Sequence, residues 1–232
     1  MNCAGVAAAW AGVTVTFLAV LVALFKEELQ RKWRKPELKA VVRLTAPDCH
    51  KTEATLTDWR TGRVIDRWPC YYLRIWIENG GNQRAEQVQV FASRLLKRRL
   101  DGTWDEQTKF LPMNLLWAHI RRPFLDGLSP EMGQYCDVGH VDHPSHALAA
   151  GETLPTVPEG KTILALDLEV KPNTKTHLVA PGDYQLELKI AASNCKPVSR
   201  TLELNLSGEW YDDERQMFAE GLGMREPSKG TV

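Results

Sequence analysis

The sequence predicts a mainly β protein, an antiparallel β-sandwich preceded by one transmembrane α-helix. Three observations predict this fold class. An uncharged apolar segment of helical length lies near the amino terminus, and the apolar residues after it recur at every second position. Turn-forming Gly, Pro and Asn residues separate these alternating stretches. The composition agrees with a folded chain, because 44% of the residues are apolar and 25% are charged.

The apolar segment covers residues 4–25 and contains no charged residue, no Pro and no Asn or Gln. At about 1.5 Å per residue, a helix of this length spans about 33 Å, enough for a hydrocarbon core of about 30 Å. A cleaved signal peptide would carry a basic residue before its apolar core, and residues 1–3 carry none. A buried globular helix is the other alternative, but the run is too long and too uniform for it. We therefore predict a retained transmembrane helix.

The residues that follow the apolar segment predict its orientation. Residues 26–35 hold two acidic residues and five basic ones, which are Lys26, Arg31, Lys32, Arg34 and Lys35. Basic residues close to a membrane span favour the cytoplasmic side. We expect a single-pass protein of the inner (plasma) membrane with its amino terminus outside and its domain in the cytoplasm. Because the whole chain is neutral, residues 36–232 carry a charge of −3, and no nucleic-acid partner is expected.

One face of the predicted helix carries small residues. Ala8, Gly12 and Thr16 recur at four-residue spacing, which lets two helices approach closely. The lipid bilayer is therefore the first expected partner, and a homo-oligomer formed through this face is a second. Simple lipid-facing anchoring is the alternative reading of the same residues.

Alternation after Pro36 predicts a domain over residues 36–221, preceded by the anchor and basic segment at 1–35 and followed by a flexible tail at 222–232. One short helix is predicted over residues 212–219, with Asp212 as its cap. The predicted strands cover residues 38–44, 71–78, 85–92, 134–141, 162–170, 184–190 and 202–206, and a further short strand begins at Val64.

The segment 71–96, YYLRIWIENGGNQRAEQVQVFASRLL, carries a strand, an Asn-Gly turn, Ala85 and a second strand with Val88 and Val90. It resembles the signature of CARDB-like and related immunoglobulin-like β-sandwiches. The later segments 128–141 and 180–194 look like further strand starts of that family. As a whole, the chain also resembles uncharacterised bacterial proteins that join one membrane helix to a cytosolic β-sandwich. These resemblances imply an immunoglobulin-like fold and no activity.

Residues 136–146, CDVGHVDHPSH, suggest a zinc site through Cys136, His140, His143 and His146. On one straight strand Cys136 and His140 lie about 13 Å apart, too far to share an ion unless a bulge, for example at Gly139, bends the strand. We interpret the segment as a strand and a polar loop rather than as a metal site. No catalytic residue and no cofactor is predicted, since phosphate loops and hydrolase motifs are missing from the sequence.

Two further groups of side chains have surface and core interpretations. The aromatic residues Trp104, Phe110, Trp117 and Phe124 fall in a long insertion and are candidates for contact with an unidentified protein partner. They can equally cover one end of the sandwich. Two basic runs, at residues 97–99 and 121–122, are interpreted as solvated faces.

Three functional hypotheses remain. The first is a membrane-anchored cytosolic β-sandwich that acts as a non-enzymatic binding or scaffolding module. The second is a membrane-perturbing effector of the bacterial immunity type, whose helix oligomerises. The third is a metal-dependent hydrolase that uses residues 136–146.

Overall fold

The computed structural model describes residues 15–22, 26, 34–146 and 160–227. Residues 15–22 of the predicted membrane segment are helical. No helix within the described residues is both long enough and apolar enough to cross a membrane. The remainder of the predicted span, with Ala8 and Gly12 of its small-residue face, lies outside the described residues, as do Arg31 and Lys32 of the basic segment.

The domain consists of two antiparallel sheets, so the mainly β prediction is confirmed. The first sheet has the order β1-β3-β9-β10-β11, with β2 beside β3 and β7 beside β9. Its strands are β1 (Leu38–Val41), β2 (His50–Thr57), β3 (Val64–Asn79), β7 (Leu116–Trp117), β9 (Gly133–Asp142), β10 (Leu164–Leu166) and β11 (Leu178–Val179).

The second sheet has the order β14-β13-β12-β4-β5, with β6 and β8 beside β4. Its strands are β4 (Ala85–Arg98), β5 (Trp104–Glu106), β6 (Met113–Asn114), β8 (Phe124–Leu128), β12 (Gly182–Ala192), β13 (Cys195–Leu206) and β14 (Leu222–Arg225). One α-helical turn, Glu214–Gln216, and a π-helical turn, Met217–Gly221, lead into β14.

The core is built by the alternation that the sequence shows. Tyr71, Leu73, Ile75 and Ile77 of β3 are fully buried, and the inward residues of β4, β12 and β13 join them in a single apolar cluster. Burying one such side chain stabilises the fold by about 1.5–3 kcal/mol. The hydrophobic effect therefore drives the packing of the two sheets.

The structure corrects three expectations. Strand β2 was not predicted, and the short strand at Val64 is the start of the sixteen-residue β3. The helix predicted over 212–219 is a single α-turn capped by Asp213, whose side chain accepts from the Gln216 amide. The predicted tail instead begins with β14, because Leu222 and Met224 are buried against β13.

A buried asparagine fastens the start of the domain to both sheets. Asn79 is fully buried at the end of β3. Its Oδ1 accepts from the amides of Glu37 and Gly81, each at 3.0 Å. Its Nδ2 donates to the carbonyls of Gln83, at 2.7 Å, and Leu128, at 3.0 Å. One side chain thus ties together the residue before β1, the β3–β4 turn and the end of β8.

The glycine of this turn is needed for close approach. A Cβ on Gly81 would lie 2.3 Å from the Lys35 carbonyl oxygen and 2.6 Å from the Glu37 nitrogen. The Lys35 amide also donates to Asn82 Oδ1 at 3.1 Å. Residues 35–37 are therefore packed directly on the turn, and the direction in which the chain reaches the domain is fixed.

We predict that Asn79→Ala lowers the free energy of unfolding by about 3 kcal/mol, and the melting temperature by about 6–12 °C. The reason is that the change leaves several buried polar groups without partners. Thermal unfolding followed by circular dichroism measures the effect. Asn173→Ala, at an exposed position, is the matched control and should stay within about 0.5 kcal/mol of the parent. Equal melting temperatures for the two variants would contradict the role of Asn79.

Candidate functional site

A bulge in β9 decides which of its side chains share a face. The register with β3 pairs Leu73 with Gly139 and Arg74 with Asp137, so Val138 is the extra residue. Asp137 and His140 are three residues apart and would face opposite ways on a regular strand. The bulge turns both to the outer face of the first sheet.

These two residues belong to a chain of alternating charges, which we call the ion network. Arg74 Nε donates to Asp137 Oδ1 at 2.7 Å, and Arg121 lies 3.6 Å from the other oxygen of that carboxylate. Arg121 also donates to Asp167 Oδ1 at 3.1 Å, and Asp167 Oδ2 is 3.1 Å from His140 Nδ1. Except for Arg121 and His140, these groups are buried.

The network joins four parts of the chain. Arg74 lies on β3, Asp137 and His140 on β9, Asp167 directly after β10, and Arg121 on the loop that follows β7. Arg121 adopts a positive φ of 52°, which side chains other than Gly rarely do. The ion network therefore holds the loop after β7 and the segment after β10 against the first sheet.

His140 is placed between two carboxylates. Burial acts to lower the pKa of His140, but the hydrogen bond and charge of Asp167, with the charge of Asp142, outweigh burial and raise it. Lys171 opposes this rise. Burial acts to raise the pKa of Asp167, but His140 and Arg121 outweigh it and lower that pKa. The pair is thus a proton-sensitive contact between β9 and the segment after β10.

The structure does not bring the four candidate metal ligands together. Cys136 pairs with Ile75 and faces the core, where its Sγ lies 3.6 Å from the Leu116 carbonyl, whereas His140 faces outward. The bulge at Val138, rather than at Gly139, separates them. Among residues 34–146 and 160–227, no group of three or more His, Cys, Asp or Glu side chains is placed to hold a metal ion.

The other two histidines both contact the hydroxyl of Ser145. His143 Nδ1 lies 2.7 Å from Ser145 Oγ, and its ring packs edge-on against Trp210. The ring of His146 is stacked on Trp68 with a centroid distance of 5.1 Å. His146 Nδ1 lies 3.0 Å from the same Ser145 Oγ, and its Nε2 lies 3.3 Å from Asp66 Oδ2. His143 and His146 are therefore neighbours, whereas His140 belongs to the ion network.

The described thiols are poorly suited to nucleophilic chemistry. Burial raises the pKa of Cys49 to about 11 and that of Cys70 to about 12. Burial also raises the pKa of Cys136 well above its usual value. Since the thiolate is the reactive form, these three side chains stay protonated near neutral pH.

The four candidate aromatic residues do not form one surface. Trp117 and Phe110 are buried in the core, Trp104 is half-buried and Phe124 is exposed. Trp104 pairs with Arg98 and Phe124 with Gln89, at positions of β4 that are about 30 Å apart. The core interpretation holds for two of them, and the remaining two lie at opposite ends of the sandwich.

An exposed apolar surface lies instead on the β2–β3 hairpin. We call residues 53–67 the hairpin arm. Residues 64–69 of β3 pair with β2, and pairing with β9 begins only at Cys70, so the arm extends about 20 Å past that pairing. Trp59 is 84% exposed, Ile65 63%, Leu56 50% and Val64 38%.

The tip of the arm is an ordered turn. The Asp58 amide donates to the Arg63 carbonyl at 2.8 Å, and Asp58 Oδ1 accepts from the Arg60 amide at 2.8 Å. Gly62 takes a φ of +69°, which a turn of this kind requires of a glycine. The Arg60 guanidinium lies 4.9 Å from the Trp59 ring centroid. The exposed tryptophan is therefore presented by a fixed backbone.

Charges of both signs surround the apolar residues of the arm. The acidic residues are Glu53, Asp58 and Asp66, and the basic ones are Arg60, Arg63 and Arg67. Exposed apolar side chains that include Trp, together with Arg and charges of both signs, are typical of protein–protein contacts. A surface for anionic lipid would carry a net positive charge, and the arm is neutral.

The outer edge of β2 continues this surface. The Lys51 amide points away from β3, because it donates to Glu214 Oε2 at 2.8 Å. By the alternation of an antiparallel pair, the amides of Glu53 and Thr55 point the same way. Glu214 thus covers the edge near Lys51, and the part of the edge on the arm lies beyond it.

Comparison with known proteins gives no assignment. No known family matches the chain, and no curated protein sequence matches it significantly. The CARDB-like resemblance of residues 71–96 therefore remains a prediction. The hairpin arm and the ion network were both missed from the sequence. The Thr61-Gly62 turn was the one local signal for the arm, and no spacing rule reveals a bulge that aligns Asp137 with His140.

We predict that stability declines as the pH rises above about 6.5, because the folded protein binds the His140 proton more tightly than the unfolded chain. The stabilisation by His140 is fully present at pH values below the pKa of this histidine in the unfolded chain. It is lost as the pH rises through the higher pKa that His140 has in the folded protein. Asp167 has a lowered pKa in the folded protein, so its ionised form stabilises the fold at neutral pH. This stabilisation is lost in the acidic range, as the pH falls below about 4.

This expectation is checked by melting temperatures measured at intervals of about 0.5 pH unit between about pH 5.5 and about pH 8.5, the range in which histidine titrates. His140→Gln should flatten the decline above about pH 6.5. His119→Asn, at an exposed position with a positive φ of 67°, is the control and should keep the decline. An unchanged decline in His140→Gln would show that another group is responsible.

Proposed function

We propose that this protein is a single-pass membrane protein whose β-sandwich is a non-enzymatic binding module, with the hairpin arm as its contact surface for a protein partner. The observation that carries the proposal is the exposure of Trp59, Leu56, Val64 and Ile65 on a well-ordered arm. A side chain as large as Trp, left exposed beside Arg, is a common anchor of protein–protein interfaces.

The position of the arm supports this role. Leu38, the first residue of β1, pairs with Asn79 at one end of β3, and the arm contains the other end. The sixteen residues of β3 span about 50 Å. A chain held at residues 35–37 by a membrane anchor therefore presents the arm on the far side of the domain from its point of attachment.

The membrane part of the proposal rests on the sequence. The apolar residues 4–25 are long enough for a span, and the basic residues after them favour a cytoplasmic domain with the amino terminus outside. The immunoglobulin-like character of the sandwich and an oligomer through Ala8, Gly12 and Thr16 belong to the same proposal. Lys26, Arg34 and Lys35 of the basic segment are exposed, as a lipid headgroup contact requires.

We predict that deletion of residues 4–25 moves the protein from the membrane fraction to the supernatant, whereas the full chain resists extraction by alkaline carbonate. The physical reason is that an apolar segment of this length is stable in the hydrocarbon core of a bilayer but not in water. Fractionation and immunoblotting measure the distribution. A full chain that carbonate extracts as readily as the deletion variant would overturn the membrane part of the proposal.

The binding surface is tested by a photo-crosslinking amino acid placed at Trp59 in the full chain, in intact cells. We expect a crosslinked product of discrete mass from this position, and loss of that product when Arg60 and Arg63 are replaced by Glu. The matched control places the same group at Leu100, which is also fully exposed but lies outside the arm. No product from position 59, or the same product from both positions, would contradict the proposal.

A separate measurement excludes unfolding as the cause. Because Arg60 and Arg63 are exposed, replacing both by Glu should change the free energy of unfolding by no more than about 0.5 kcal/mol. Loss of the crosslink with an unchanged melting temperature then reports on binding alone.

A further inference from the structure

A cavity of about 470 Å³ lies between the edges of the two sheets, away from the ion network and the hairpin arm. Its walls come from the end of β4, from β5 with the loop after it, and from the segment that leads into β11. Leu95, Phe110, Val179 and Tyr184 contribute buried apolar surface to it. Cavities of about 300–1,000 Å³ with an apolar floor and a few polar groups are typical of small-molecule sites.

The charges around this cavity are unbalanced. Two carboxylates line it, but Asp105 is paired with Arg99 at 2.5 Å and Glu106 with Arg94 at 2.7 Å. Three lysines also line it: Lys97, Lys109 and Lys175. In the part of the chain that the structure describes, none of these lysines lies within ion-pair distance of a carboxylate.

One of the lysines is held in a strained backbone conformation. Lys175 has a φ of +55°, a region that costs energy for a residue with a side chain. Two backbone hydrogen bonds fix it there, from its own amide to the Pro172 carbonyl at 2.9 Å and from the Leu178 amide to its carbonyl at 3.0 Å. The same turn places the hydroxyls of Thr174 and Thr176 3.3 Å apart at the cavity.

The other end of the cavity is fixed by an aromatic ring. The Lys97 ammonium lies 5.5 Å from the ring centroid of Tyr184, so its side chain is directed across the cavity wall rather than away from the domain. The Gln107 amide donates to the Leu95 carbonyl at 2.9 Å, and the Phe110 amide donates to the Gln107 carbonyl at 2.8 Å, which orders the loop that carries Lys109.

We propose that this cavity binds a small multiply charged anion, of the phosphate or polycarboxylate kind, through Lys97, Lys109 and Lys175. Because one threonine hydroxyl donates to the other, the pair supplies one further donor, and the apolar floor excludes water from one side of the bound anion. Such a ligand would supply negative charge to the three lysines, since Asp105 is paired with Arg99, and Glu106 shares Arg94 with Glu187. The proposal is independent of the membrane anchor and of the hairpin arm.

Isothermal titration calorimetry of the full chain in a nonionic detergent tests it, with pyrophosphate and with citrate as separate probes at constant ionic strength. We expect saturable binding of at least one probe with one site per chain. Tighter pyrophosphate binding assigns the site to phosphorylated ligands, and tighter citrate binding assigns it to polycarboxylates.

The variants Lys97→Gln, Lys109→Gln and Lys175→Asn should each weaken binding about tenfold, since each removes one charge contact. Asn is chosen at position 175 because it tolerates a positive φ. Lys109 is exposed, so Lys109→Gln should leave the melting temperature unchanged and keeps the test independent of folding. The matched control is Lys189→Gln, at an exposed position on β12 away from the cavity. The proposal fails if neither probe saturates the protein by about 10 mM, because such binding would be weaker than that of typical ligand sites. It also fails if Lys189→Gln weakens binding as much as Lys109→Gln does.

Discussion

The four hydrogen bonds of the Asn79 side chain determine how the two sheets and the start of the domain fit together. They satisfy every donor and acceptor of this buried side-chain amide. Its oxygen accepts from the amides of Glu37 and Gly81, and its nitrogen donates to the carbonyls of Gln83 and Leu128. A buried amide left unsatisfied would cost about 1–3 kcal/mol for each missing partner. The β3–β4 turn, the path of residues 35–37 and the position of β8 are therefore coupled through one residue, and Gly81 provides the space that this coupling requires.

The ion network has a different physical role. Removing Arg74, Asp137 and Asp167 from water carries a desolvation cost that their mutual attraction only partly offsets. We infer that the network positions these parts of the chain more than it stabilises the fold, because its members come from separate strands and from the loop that carries Arg121. In the observed arrangement of that loop Arg121 contacts both carboxylates, at 3.6 Å from Asp137 and 3.1 Å from Asp167.

The sequence predicted the strands whose two faces differ in polarity. Along 71–78 and 184–190 the core residues alternate with outward polar ones, and a single hydrophobic period is enough to identify such strands. Strand β2 escaped detection because none of its eight residues, HKTEATLT, is fully buried, so no alternation of core residues marks it in the sequence. The carboxyl-terminal β14 is too short for a periodic signal, and only its packing against β13 identifies it.

The candidate sites were less predictable than the fold, and the reason lies in the bulge at Val138. The sequence placed Cys136 and His140 too far apart on a straight strand to share an ion, and it offered Gly139 as the position of a bulge. The bulge lies at Val138 instead and places the two side chains on opposite faces. The aromatic residues of the insertion illustrate a second limit. Burial of Trp117 and exposure of Phe124 depend on which segments fold over them, and spacing along the chain does not show this.

The pairing of β1 with β3 has a mechanical consequence for a protein anchored at one end and loaded at the other. Under the proposed function, tension between a membrane anchor and a partner on the hairpin arm would pull Leu38 and Val64 in opposite directions along the strand axes. The hydrogen bonds of an antiparallel ladder are perpendicular to its strands, so this force loads the four β1–β3 residue pairs together, in shear. The attachment is thus oriented to resist extension, whereas a force that peeled β1 sideways would break the same contacts one after another.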